Sequence, residues 1–112
     1  MKYLLIMFIV VTCMSCKQDY NKDIWIKNQN QSSDNPRFEM TKDLRENYLL
    51  KGMSIDTVFS LLDEPKYIDT IESRIQWTYP IGSNPGFHID PYYLVIDFDS
   101  TGHLIETDMH VH

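Results

Sequence analysis

The spacing of hydrophobic positions changes several times along this chain, and the changes divide it. Tyr3 to Thr12 is an unbroken apolar run of about ten residues behind a single basic residue, Lys2. A membrane span needs about twenty, so the run suits the hydrophobic region of a secretory signal. From Lys17 to Asn35 the chain is rich in Asn, Gln, Ser, Lys and Asp, interrupted by Ile24-Trp25-Ile26. So polar a stretch cannot repay its ordering entropy, which predicts a flexible tether. The triplet within it is either a small docking motif or a patch that folds back on the domain.

Beyond Pro36 the pattern becomes helical. Met40, Leu44 and Tyr48, widened by Leu49 and Leu50, predict an amphipathic helix over 38–50, closed by Lys51 and Gly52. A second helix follows at once. Ser54 is its N-cap, Asp56 suits the positive end of the dipole, and Met53 is placed to staple against Val58. Ile55, Val58, Phe59 and Leu62 form the expected buried face, and Pro65 forbids continuation.

After Pro65 the period switches to two. Ile75, Trp77, Tyr79 and Ile81 alternate with polar positions and predict a half-buried strand. Gly82 to Pro91 holds two Gly and two Pro and reads as a loop. Tyr92, Leu94, Ile96 and Phe98 form a second strand face. Asp99-Ser100-Thr101-Gly102 is a turn, and His103 to Val111 a third strand paired back as a hairpin. The expected fold is α+β: two N-terminal helices packed on a three-stranded antiparallel sheet, occupying residues 36–112.

Cys13 and Cys16 are the only cysteines. A redox pair would sit where a strand gives way to a helix, and a zinc site would need two further ligands. Neither setting is present behind a greasy N-terminal run. Cys13-Met14-Ser15-Cys16-Lys17 instead resembles the lipobox of bacterial lipoproteins, with Ser15 at the small position and Cys16 at the acylated one. That resemblance implies a signal peptide over 1–15, lipidation of Cys16 and a tether over 16–35, with an ordinary cleaved secretory signal as the alternative reading of the same run. The membrane partner is then reached through N-terminal acyl chains. Lys17, in place of an aspartate, points to the outer membrane over the inner one.

Charge narrows the partners. The chain carries ten basic and sixteen acidic residues, net −6. Loss of 1–15 removes Lys2 and no acid, so the mature charge becomes −7. A chain that acidic does not track phosphate backbones, which excludes nucleic acid. It also gains nothing from anionic head groups, so the acyl chains must do the anchoring.

Candidate chemistry is sparse. Glu106, Asp108, His110 and His112 share one face of the last strand at a spacing a metal could bridge, which makes His110 and His112 weak ligand candidates beside the reading of a solvated strand face. No Ser, Thr or Cys stands in a nucleophile motif and no glycine-rich phosphate cradle occurs. The chain reads as a non-enzyme without a cofactor. In the 82–91 loop, Phe87, His88 and Ile89, with Tyr92 just beyond, are the candidate partner-binding residues, because a loop runs over the surface and stiffened aromatics make good anchors.

Leu50-Lys51-Gly52-Met53-Ser54, Val58, Leu61-Leu62, Glu64-Pro65, Trp77-Thr78-Tyr79, Leu94 to Asp99 and Gly102 together resemble the small outer-membrane lipoproteins of the SmpA/OmlA type. Members of that group include the E subunit of the β-barrel assembly machinery, and the module is shared with β-lactamase inhibitor proteins. Asp63 stands where that pattern has Gly. The resemblance implies a lipid-anchored envelope domain that binds a protein partner as an outer-membrane assembly or maintenance accessory. An inhibitor-like module that blocks an enzyme is the alternative, and a metal- or small-ligand-binding lipoprotein a third reading.

Overall fold

The computed structural model describes residues 19–29, 35–82 and 91–111. Helix α1 spans Lys22–Lys27, α2 spans Pro36–Asp43 and runs on into a π-helical turn at Leu44–Tyr48, and α3 spans Ile55–Leu62. Strands β1 (Tyr67–Ile71), β2 (Arg74–Gly82), β3 (Tyr92–Phe98) and β4 (Leu104–Val111) form one antiparallel sheet in chain order. The α+β class is as expected. The described residues add a third helix and a fourth strand to the expected set.

The added helix lies in the polar stretch expected to be a tether. Asn21 caps it, its side chain accepting from the Ile24 N–H, and Asp23 sits in the first turn. Trp25 is fully buried. Its ring packs against Tyr20 and Tyr79, with centroids 6.0 and 5.9 Å away, and the Arg37 guanidinium lies 4.3 Å from it. The triplet therefore folds back on the domain, and residues 22–27 belong to the folded body. Mean polarity misleads here because one indole buries on the order of 200 Å².

Helix α2 begins at Pro36, two residues earlier than the periodicity suggests, because Asn35 caps it and a proline suits the first helical position. The Leu49 N–H donates to the Leu44 carbonyl, an i to i+5 bond. This extra residue in the turn rotates the stripe. Met40, Leu44 and Leu49 enter the core, while Tyr48 and Leu50, expected on the apolar face, are exposed.

Helix α3 matches its sequence reading at the start, where Ser54 Oγ accepts from the Thr57 N–H at 3.2 Å. Val58 and Leu62 are buried, but Phe59 is 44% exposed and meets Trp77 edge-on. At the exit Asp63 adopts φ 67, ψ −160, a region nearly reserved for glycine. Its N–H donates to the Phe59 carbonyl and its carbonyl accepts from the Tyr79 hydroxyl at 2.8 Å.

Strand β1 is the added strand. It forms a hairpin with β2 through Glu72 and Ser73, both at φ 50. Positive φ at both central residues is the turn that suits strand twist, but Asn-Gly is its usual sequence. Glu-Ser gives no such signal, and all five residues of β1 are exposed, so no burial pattern announces it. The β3–β4 hairpin is the legible one. Asp99 Oδ1 accepts from the Thr101 hydroxyl and from the Thr101 and His103 N–H groups, which hold this carboxyl below the usual carboxylate range. Gly102 takes φ 83, as the turn requires.

Candidate binding face

Pairing register assigns every strand residue to one of two faces. Ile75, Trp77 and Tyr79 of β2 line up with Phe98, Ile96 and Leu94 of β3, and Ile96 and Leu94 with Thr107 and Met109 of β4, while Ile81 is buried at the register shift between Pro80 and Gly82. This face lies against the helices and carries the core with Trp25, Met40, Leu44, Val58 and Leu62. Trp77 and Tyr79 are therefore core residues.

No described helix covers the other face. Across it run Tyr67, Thr78, Val95 and Asp108 in one row and Pro80, Tyr93 and His110 in the next. These rows end in a shallow depression of about 420 Å³ lined by Tyr67, Thr78, Tyr93, Val95, His110 and Val111. Val95 is only 9% exposed on this face. The apolar run Tyr92-Tyr93-Leu94-Val95-Ile96 is the sequence signal for this arrangement. A strand apolar on both faces reads as a continuous run, not an alternation, and attention to one face alone misses Tyr93 and Val95.

The opposite end of the open face is charged. Asp69, Gln76, Asp97 and Glu106 form a row across all four strands. Gln76 Nε2 donates to Asp97 Oδ1 at 3.0 Å, and Arg74 Nη1 reaches Asp97 Oδ2 at 3.3 Å and Glu106 Oε2 at 3.6 Å. One arginine thus serves two carboxylates. Asp69 makes no hydrogen bond or ion pair with any described residue.

The sequence-derived site residues are dispersed by comparison. Tyr92 lies at the core-side end of β3, half-buried, its ring edge-on to Phe38 at 5.1 Å. There it packs at the rim of the core. Phe87, His88, Ile89, His112 and both cysteines lie outside the described residues. His110 is exposed, with Nε2 3.5 Å from Asp108 Oδ2. Among the described residues no three His, Cys, Asp or Glu side chains converge as a metal site would need.

Arg37 has no sequence signal at all, yet it is 2% exposed. Its Nε donates to the Trp25 carbonyl at 2.7 Å and its Nη1 to the Pro80 carbonyl at 2.9 Å, tying α1 to β2. Burial pulls the guanidinium down to about 10. Burial also pushes Tyr20 up to about 12 and raises Tyr79 further. These groups brace the covered side.

Compared with protein-family models, curated proteins and solved structures, the chain has no match in any of the three.

Proposed function

We propose that this chain is a lipid-anchored cell-envelope protein that works by binding another protein, held to the membrane through acyl chains on Cys16. The observation that carries the binding half is the open sheet face, where Tyr67, Tyr93 and Val95 surround an apolar depression beside an acidic row. Isolated apolar residues on a surface need no explanation, but a contiguous patch rimmed by polar groups is a mark of an interaction site. Support for the anchor is the lipobox-like Ser15-Cys16 directly behind the apolar run Tyr3 to Thr12. The motif resemblance to SmpA/OmlA lipoproteins supports an accessory of outer-membrane assembly or maintenance. Nothing in this reading calls for catalysis, a cofactor or nucleic acid.

The test has two arms. Cys16→Ala is expected to release the protein from the membrane fraction and abolish fatty-acid labelling, while Cys13→Ala changes neither. Retention of both by the Cys16 variant would overturn the anchor. Thr78→Lys places a charge in the floor of the depression. It is expected to weaken capture of an envelope partner at least tenfold, and unchanged capture by a folded Thr78 variant would overturn the face. Recovery of a soluble hydrolase in place of assembly components would redirect the reading to the inhibitor-like alternative.

A further inference from the structure

The sheet has two edges, and the chain treats them differently. A bare strand edge is a row of unpaired N–H and C=O groups, which natural sheets cover or interrupt. At β4 the covering is thorough. The Gly52 N–H donates to the Leu104 carbonyl and the Leu104 N–H to the Met53 carbonyl, both at 2.8 Å, and Ser54 bridges His103. Further along, Arg45 Nη2 donates to the Thr107 carbonyl and its Nε to the Thr107 hydroxyl. The register with β3 also shifts at Asp97/Phe98.

Strand β1 carries none of these devices. Its register with β2 is unbroken, it contains no proline or lysine, and no described residue pairs with its outer edge. In a two-residue hairpin the flanking pair, here Ile71 and Arg74, exchange both hydrogen bonds. Thr70 and Ile68 therefore turn their N–H and C=O groups outward. The side chains are unshielded as well: Ile68 is 61% exposed, and Tyr67 and Ile71 are exposed on the other face. Ile68 pairs with Trp77, which Phe59 also borders, so the helix layer stops short and leaves an apolar shelf beside β1.

Resting on the protein-binding reading above, we propose that β1 accepts an extended segment of the partner as a fifth strand of the sheet. A lysine or arginine of that segment lies opposite Asp69, with apolar or β-branched residues on either side. Main-chain bonds to Ile68 and Thr70 supply the affinity and the side-chain row supplies the choice. Asp69 is the middle residue of β1 and has no partner of its own among the described residues, while Arg74 is engaged with Asp97 and Glu106. A cation beside Asp69 completes the charged row. A second copy of this chain fits poorly, because the antiparallel register that pairs all five residues sets Asp69 against Asp69, and like charges directly opposed are destabilising. The net charge of −6 opposes self-association further.

The probe is a labelled, end-blocked pentapeptide of sequence Val-Thr-Lys-Val-Val, with a Glu-for-Lys version as control, titrated by anisotropy against the full-length chain in detergent. Saturable binding of the lysine peptide is expected, with the glutamate peptide at least tenfold weaker. Asp69→Lys should reverse that preference. Thr70→Pro, which removes an outward N–H at an edge position that tolerates proline, should weaken both peptides at least tenfold with the melting temperature unchanged. Equal binding of the two peptides, or no saturable binding, overturns the proposal. So does a β1-mediated dimer that Thr70→Pro dissociates. Partner capture that survives Thr70→Pro but is lost in Thr78→Lys would sink strand addition while leaving the protein-binding reading in place.

Discussion

On the covered face of the sheet, Tyr79, Leu94, Ile96 and Phe98 are wholly buried and the helices supply Trp25, Met40 and Leu62 to meet them. On the open face the same strands present Tyr67, Thr78, Tyr93 and Val95 around a shallow depression, then grade into a row of carboxylates. The strands are identical and only their pleat differs, since successive side chains point to opposite sides. What separates the faces is the helical layer. Where it lies, a lost atom leaves a void or an orphaned polar group. Where it is absent, water replaces most of what is removed. Stability should therefore reside on one face and recognition on the other.

The sharpest break in that contrast is Trp25→Ala. Deleting a fully buried indole should cost about 3–5 kcal/mol in equilibrium unfolding. It also strips the ring beneath the Arg37 guanidinium. A loss under about 1 kcal/mol would show that α1 does not belong to the core.

Next in size is alkaline destabilisation of the covered side. Tyr20 is raised to about 12 by burial and Tyr79 is raised further, so both keep their protons in the fold above pH 10 while the unfolded chain loses them. The unfolded state then binds fewer protons, and stability falls as pH rises from 10 through 12. Arg37, lowered to about 10, works in the opposite sense over the same window, one proton against two. A net drop in melting temperature of about 4–8 °C across that window is expected. It should be absent below pH 9 and smaller in Tyr20→Phe.

A smaller effect of opposite sign belongs to the join between helix layer and sheet. Asp63→Gly relieves a backbone conformation that costs an L-residue on the order of 1 kcal/mol or more, against a loss of unfolded-state restriction. A gain of about 0.5–1 kcal/mol is expected, read from the denaturation midpoint at unchanged slope. The smallest effect should come from the open face itself. Thr78→Lys should shift stability by less than about 0.5 kcal/mol while it weakens partner capture. A large loss of stability there would mean that the open face is core by another name.

Legibility in the sequence followed the range of the interactions concerned. The cap at Ser54, the alternation from Ile75 to Ile81 and the Asp99–Gly102 turn all rest on neighbours within a few residues, and each stands where its pattern placed it. The hairpin at Glu72-Ser73 was hidden because its turn is made by residues that tolerate the conformation poorly. The π turn at Leu44–Tyr48 was hidden because nothing in Leu-Arg-Glu-Asn-Tyr announces a fifth residue in the turn.

By itself the amino-acid order determined the α+β class, the paired faces of β2 and β3, the capped second helix of the 36–112 region and the sparsity of catalytic motifs. These depend on periodicity and on local hydrogen bonding, which a short stretch of chain carries within it. Tertiary structure alone decided that Trp25, set among Asn, Lys and Asp, is a centre of the core, and that Arg37 is the strut linking it to Pro80. It also decided that β4 is a guarded edge, while no described residue pairs with the outer edge of β1. Burial and edge covering are properties of what comes to lie alongside, across separations of 12 residues from Trp25 to Arg37 and 62 from Arg45 to Thr107. No local window of sequence contains that neighbour.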